Sequence, residues 1–254
     1  MKAKHKKNWH CRAQITDIDA TVRCDSSCEK GVLTALNKVV SLEEVAKRVT
    51  DGQTVMVGGF LAVGCPETLV SLLVRGKIKE LTLIANDTAF SDIGVGRLVT
   101  NRQLKKAVVS HIGTNSETGK QMLAGDLDVE LVPQGTLAER IRCAGAGLGG
   151  VLTPTGVGTN VETGKKKISI EGKEYLLEMP LKADIALIKA FKADVSGNLI
   201  YRRSAQNFNP LMAMAASLVI AEVEEIVELG QIDPDEVVTP GVFVDVVIKE
   251  GHYV

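Results

Sequence analysis

The sequence predicts an α/β domain built on a parallel sheet, with helices on both faces and one β-hairpin excursion. Three observations carry that expectation. From residue 37 onward, short apolar runs alternate with helical patterns, as parallel strands joined by crossover helices require. Several of those runs are apolar throughout, which marks strands covered on both faces. Two alternating runs instead flank Glu171-Gly172-Lys173, a hairpin signature.

Each element follows from local chemistry. Ser41 and Glu44 form a capping box, and Leu42, Val45, Ala46 and Val49 share one helical face behind it. Thr54–Val57 is a strand that empties into Gly58-Gly59. Pro66 suits the first turn of a helix, which "PETLVSLLVRGK" continues to Gly76. "LTLIAN" (81–86), "AVVSHI" (107–112) and "VELVP" (129–133) read as buried parallel strands, separated by the short, partly helical segments "IGVGRLVTN" and "TGKQMLAG". "GTLAERIRCAG" is a helix ended by glycine. Residues 143–164 are rich in Gly, Thr and Pro, so no regular element is expected there. "ADIALIKAF" and "SLVIAEVEEIV" are again buried strands, with "NPLMAMAA" a short helix between them.

Residues 37–254 are expected to form one domain, with residues 1–36 an N-terminal extension. The extension holds Cys11, Cys24, Cys28, the only Trp (Trp9) and a basic start. It lacks the apolar core of a signal peptide. His5, His10, Cys11, Cys24 and Cys28 match no standard zinc spacing, and no metal site is expected. The segment reads as a disordered tail or as a mistranslated upstream region, with the true start at Leu36 from a non-ATG codon.

The net charge of −1, with one Trp, three Tyr and five Phe in 254 residues, offers neither the basic stripe nor the stacking platforms that nucleic acid demands. No apolar run approaches the roughly 18 residues of a spanning helix. A soluble, cytoplasmic protein is expected, with no partner in nucleic acid or membrane.

Several motif matches fail on context. Gly145, Gly147 and Gly150 satisfy the dinucleotide glycine pattern, but a helix precedes them and none opens after them. This leaves an oxidoreductase reading without support. Lys120 and Lys165 follow glycines as in a P-loop, but the upstream Gly113 and Gly158 sit one position too far away, and no Ser or Thr follows either lysine. His111 reads as a structural strand-end histidine and Cys143 as a small buried hydrophobe. Lys165-Lys166-Lys167 reads as a solvated hairpin edge.

What remains is a set of turns at strand C-termini, which in a parallel sheet share the ligand-binding rim. They are Gly58-Gly59, Asn86, Ile112–Asn115 and Gln134-Gly135. Glycines let backbone N–H groups approach a ligand, and the helix N-terminus at Pro66–Glu67 adds positive potential for a phosphate or carboxylate. Asn86 and Gln134 are amides that donate to a carbonyl oxygen without titrating.

"DGQTVMVGGFLAVGCP" (51–66) resembles the first signature of the family I CoA-transferases: Asp51-Gly52, the aliphatic Val55-Met56-Val57, Gly58-Gly59-Phe60, then Gly64 and Pro66. The likeness continues through "IANDTAF", "SHIGTNSETG", "LVPQGTLAERIR", "GAGLGGVLTPTGVGT" and "SAQNFNP" (204–210), and covers residues 37 to 250. Within the family it is to the α subunits of enzymes acting on acetate, butyrate and acetoacetate.

The resemblance implies a CoA-transferase-type fold (NagB/RpiA/CoA-transferase-like) and ping-pong chemistry. A glutamate attacks the acyl-CoA thioester, and an acyl-glutamyl anhydride and then an enzyme–CoA thioester form in turn. That glutamate belongs to a β subunit, so this chain is expected to be active only with its partner, usually as an α₂β₂ assembly. Coenzyme A enters as substrate, and no tightly bound cofactor is implied. By resemblance, Gly58, Gly59, Phe60, Leu61, Ala62, Val63 and Gly64 contact coenzyme A. Gln134 and Asn86 are the amides that meet the oxyanion or the substrate carboxylate. Ser116-Glu117-Thr118-Gly119 looks like the nucleophile motif, but Lys120-Gln121 follows where aliphatic residues belong, so Glu117 is read as a loop acid. A non-catalytic sensor of sugar phosphates on the same fold is the alternative.

Overall fold

The structure is a computed structural model and describes residues 37–251. The N-terminal extension, its cysteines and the start proposed at Leu36 lie outside the described residues.

Ser41 caps the first helix, α1 (Leu42–Ala46), by accepting the Glu44 N–H. Strand β1 (Thr54–Val57) leads through the glycine loop to α2 (Glu67–Arg75), with Pro66 as its cap rather than its first residue. Then come β2 (Leu81–Ile84), α3 (Gly96–Thr100), β3 (Leu104–Val109), α4 (Ser116–Ala124), β4 (Asp128–Leu131) and α5 (Gln134–Gly145). A three-stranded antiparallel sheet follows in order β5-β7-β6, from β5 (Val151–Thr153), β6 (Lys167–Ile170) and β7 (Lys173–Glu178). The chain returns through the long β8 (Ala183–Asp194), the short β9 (Leu199–Ile200), α6 (Asn209–Ala213), β10 (Ala216–Val227) and β11 (Val246–Lys249).

The main sheet runs β11-β10-β8-β1-β2-β3-β4, all parallel, with β9 antiparallel against β8. Strand order reverses between β1 and β8, which makes the crevice beyond their C-terminal ends a topological switch point. Side chains alternate across the sheet as the pleat dictates. Val55, Val57, Leu83 and Leu187 pack with Val45, Leu69, Leu73 and Leu98 from α1–α3. Met56, Ile84, Val108 and Ile188 pack on the opposite face with Leu137 and Ile141 of α5 and Met212 of α6. Each such buried aliphatic side chain contributes about 1.5–3 kcal/mol relative to exposure. Helices on both faces are therefore present as the sequence implies.

The hairpin turns at Glu171 (φ 50) and Gly172 (φ 78), with Ile170 paired to Lys173, the two-residue turn that positive φ at both positions selects. Some expectations need correction. "VELVP" is not a buried strand. Among the described residues β4 is the sheet edge, with no strand paired on its outer side, and Leu131 there is half exposed. The 143–164 stretch does contain a strand, β5, which is recruited by β7. Cys143 is buried, and Lys165 and Lys167 pair with Glu178 and Glu162 on the hairpin sheet. No helix among the described residues is long and apolar enough to cross a membrane.

Candidate active site

Parallel strands β1–β4 deliver four loops to one rim. After β1, the Gly58 N–H extends the sheet by donating to the Leu187 carbonyl (3.0 Å). The chain then folds into a tight turn in which Phe60 and Val63 exchange backbone hydrogen bonds of 3.0 and 2.9 Å. Leu61 (φ 46) and Ala62 (φ 71) sit at its tip in the left-handed region, a strained conformation that neighbours must hold. Three side chains do so. The Leu61 N–H donates to Asp87 Oδ2 at 3.0 Å. Asn207 accepts from the Gly59 N–H and donates to the Val63 carbonyl. Asn209 donates to the Gly64 and Ala205 carbonyls while accepting the Lys189 N–H. Phe60 and Val63 remain about half exposed on the outer side, at 43% and 50%.

The glycines here answer to the chain itself. A Cβ on Gly58 would fall 1.7 Å from Asn209 Oδ1, and one on Gly64 (φ 74) would meet the Ala205 carbonyl at 2.5 Å. The N–H groups of Gly58, Gly59, Phe60, Leu61 and Val63 are all taken internally, so they are not the donors expected from the glycine pattern. The α2 N-terminus is likewise occupied. The carboxylate of Glu222, 1% exposed, accepts the Leu69 N–H at 3.1 Å and supplies the anion that the helix end favours. Burial pushes the Glu222 carboxyl up, against the pull of Lys189. Cys65 beneath the loop is buried, and burial, with Glu67 and Glu222 nearby, holds its thiol well above the usual range.

After β2, Asn86 is 2% exposed and hydrogen-bonded at both its amide nitrogen and its amide oxygen. Its Nδ2 donates to Asp87 Oδ2 (2.6 Å), and its Oδ1 accepts from Gln134 Nε2 (2.7 Å) with Ser110 Oγ alongside at 3.1 Å. Gln134 opens α5 at an N-terminus that no side chain caps, and its own side chain is exposed. It makes no other side-chain hydrogen bond among the described residues, leaving one N–H and Oε1 for the rim. The structure thus brings together the 58–64 loop, Asn86 and Gln134. It does not bring the 112–115 turn into the same set, because Asn115 is buried as the α4 cap and donates to the Thr88 carbonyl. Glu117 lies in the first turn of α4 rather than in a loop, accepting from Gln121 at 2.9 Å. His111 is an exposed strand-end residue bridged through its backbone to Asp87. Among the described residues, no group of three or more His, Cys, Asp or Glu could hold a metal ion.

The coenzyme A transferase family model matches residues 39–250. The chain belongs to the coenzyme A transferase family. An acetate CoA-transferase subunit alpha from Escherichia coli K12 is 54% identical over 83% of this chain and 96% of its own length. An acetoacetyl-CoA:acetate/butyrate CoA transferase alpha subunit from Clostridium acetobutylicum is 50% identical over 84% and 98%. Glutaconate coenzyme A-transferase from Acidaminococcus fermentans superimposes with a TM-score of 0.76, at 23% identity, over 85% of this chain and 76% of that one, and so shares its fold. This CoA-transferase chain is therefore an enzyme subunit of the α type, as the motifs imply, and the sugar-phosphate sensor alternative is not favoured.

Sequence reasoning missed Asp87, Asn207 and Asn209 as residues that shape the site. Asp87 follows Asn86 directly in "AND", and the two asparagines stand inside "SAQNFNP", so the motifs contained them. Their roles depend on contacts with residues about 26 to 148 positions away, which no local pattern displays.

Proposed function

We propose that this chain is the α half of a cytoplasmic enzyme that moves coenzyme A from an acyl-CoA to a short-chain carboxylate such as acetate, butyrate or acetoacetate. A separate β subunit supplies the glutamate nucleophile, in an α₂β₂ assembly, and residues 1–36 are an extension outside the catalytic domain. The observation that carries this reading is the 2.7 Å bond between Gln134 and Asn86 at the C-terminal rim, beside the 58–64 loop. It presents a neutral, oriented N–H donor on the same strand-end rim as the switch-point crevice, suited to an oxyanion or a carboxylate. Gln134 is the donor that meets the reacting group, and Asn86, being buried, holds it in place. The 58–64 loop covers coenzyme A with the exposed Phe60 and Val63, since most of its N–H groups are already paired.

Replacing Gln134 by Ala in the assembled enzyme tests this role. Removing one such donor costs about 2.7–4 kcal/mol, so turnover should fall by about 10²- to 10³-fold with assembly unchanged. Wild-type turnover in Gln134→Ala would refute the assignment.

A further inference from the structure

Asp87 is 3% exposed and accepts three hydrogen bonds, each from a neutral N–H. Oδ1 takes the Ala89 N–H at 2.7 Å, while Oδ2 takes the Leu61 N–H and the Asn86 Nδ2. A carboxylate only accepts, so Asn86 must turn its NH₂ toward Asp87 and its Oδ1 the other way. Gln134 must then bring its own NH₂ to that Oδ1. A carboxamide pair without such a neighbour could reverse both groups at little cost, and the edge offered to a substrate would reverse with them. The same oxygen that sets this order also holds the tip of the strained 60–63 turn.

We propose that Asp87 is a positioning residue: acting through Asn86, it fixes which edge of the Gln134 amide faces the reacting group, and it couples that edge to the 60–63 turn. The inference rests on the role proposed for Gln134, but its test does not depend on turnover alone. The side-chain amides of Asn86 and Gln134 can be followed by ¹⁵N NMR in the full chain, in wild type and in the isosteric Asp87→Asn. The variant should shift both sets of amide signals and speed their exchange with solvent by about tenfold or more, the scale of one lost hydrogen bond. Amides of the β5–β7 sheet should stay unchanged. Unmoved Gln134 signals in Asp87→Asn would overturn the proposal.

Asn86→Ala provides a second reading if Asp87→Asn does not fold, since it cuts the link while leaving both backbone contacts of Asp87. Gln134 exchange should rise there as well, and an unchanged rate would again overturn the proposal. In the assembled enzyme, Asp87→Asn should lower kcat by about tenfold or more, and this kcat loss should not multiply with that of Gln134→Ala, while any change in KM reports the loosened 60–63 turn. Losses that multiply would show that Asp87 acts elsewhere. If the wild-type assembly transfers no coenzyme A, the functional reading fails, and the amide spectra still decide the role of Asp87.

Discussion

Gly58 shows how a correct motif can carry the wrong physical reason. The sequence suggests a glycine that lets backbone approach a ligand. In the fold, the space where its Cβ would lie belongs to Asn209, whose buried side chain is held by four hydrogen bonds and cannot step aside. Gly58→Ala should therefore cost about 1–3 kcal/mol of stability, in the range of overpacked cores. Asn209→Ala alone should also destabilise, by leaving the Lys189 N–H and two carbonyls unpaired. The double variant should be more stable than the sum of the two losses, because the smaller residue removes the clash. Urea denaturation of the four proteins measures this, and strictly additive losses would argue against the Asn209 explanation. Asp87 was equally hidden, because a buried Asp with three N–H donors is visible only once two loops meet.

At the scale of elements, the long parallel strands were legible because their apolar runs are continuous, and α5 because its periodicity is regular. The misses were short or borrowed. β9 has two residues and exists by pairing with β8, and β11 is a four-residue strand completed by β10. The edge strand β4 depends on charge more than on apolar burial. Its Glu130 takes Arg140 from α5 at 2.8 Å and Lys106 from β3 at 3.1 Å, tying the helix that carries Gln134 to the sheet. Partial burial opposes ionisation of Glu130, but the bonds from Arg140 and Lys106 outweigh it and hold its carboxyl below the usual range. A depressed folded-state pKa contributes stability above the unfolded value, about 4.3 for glutamate, which is lost as pH falls through the folded value. Wild type should therefore exceed Glu130→Gln in thermal stability at neutral pH, with the gap closing in acid below that range. A gap that stays constant or widens toward low pH would contradict the sign.

For the whole molecule, the strand order places the 58–64 loop at the switch point, and the amide pair lies along the same rim. The sequence named the loop, Asn86 and Gln134 because strand ends and motifs are local features. The motifs already favoured Gln134 over Asn86, and the fold adds that Asn86 is buried while Gln134 is exposed, the arrangement on which the proposed roles rest. The rim supplies donors and an apolar cover, whereas the nucleophile in this account comes from another chain. The most direct measurement mixes purified chain with a candidate β subunit and follows coenzyme A transfer from acetoacetyl-CoA to acetate. Turnover is expected only when both chains are present. Turnover by this chain alone would contradict it.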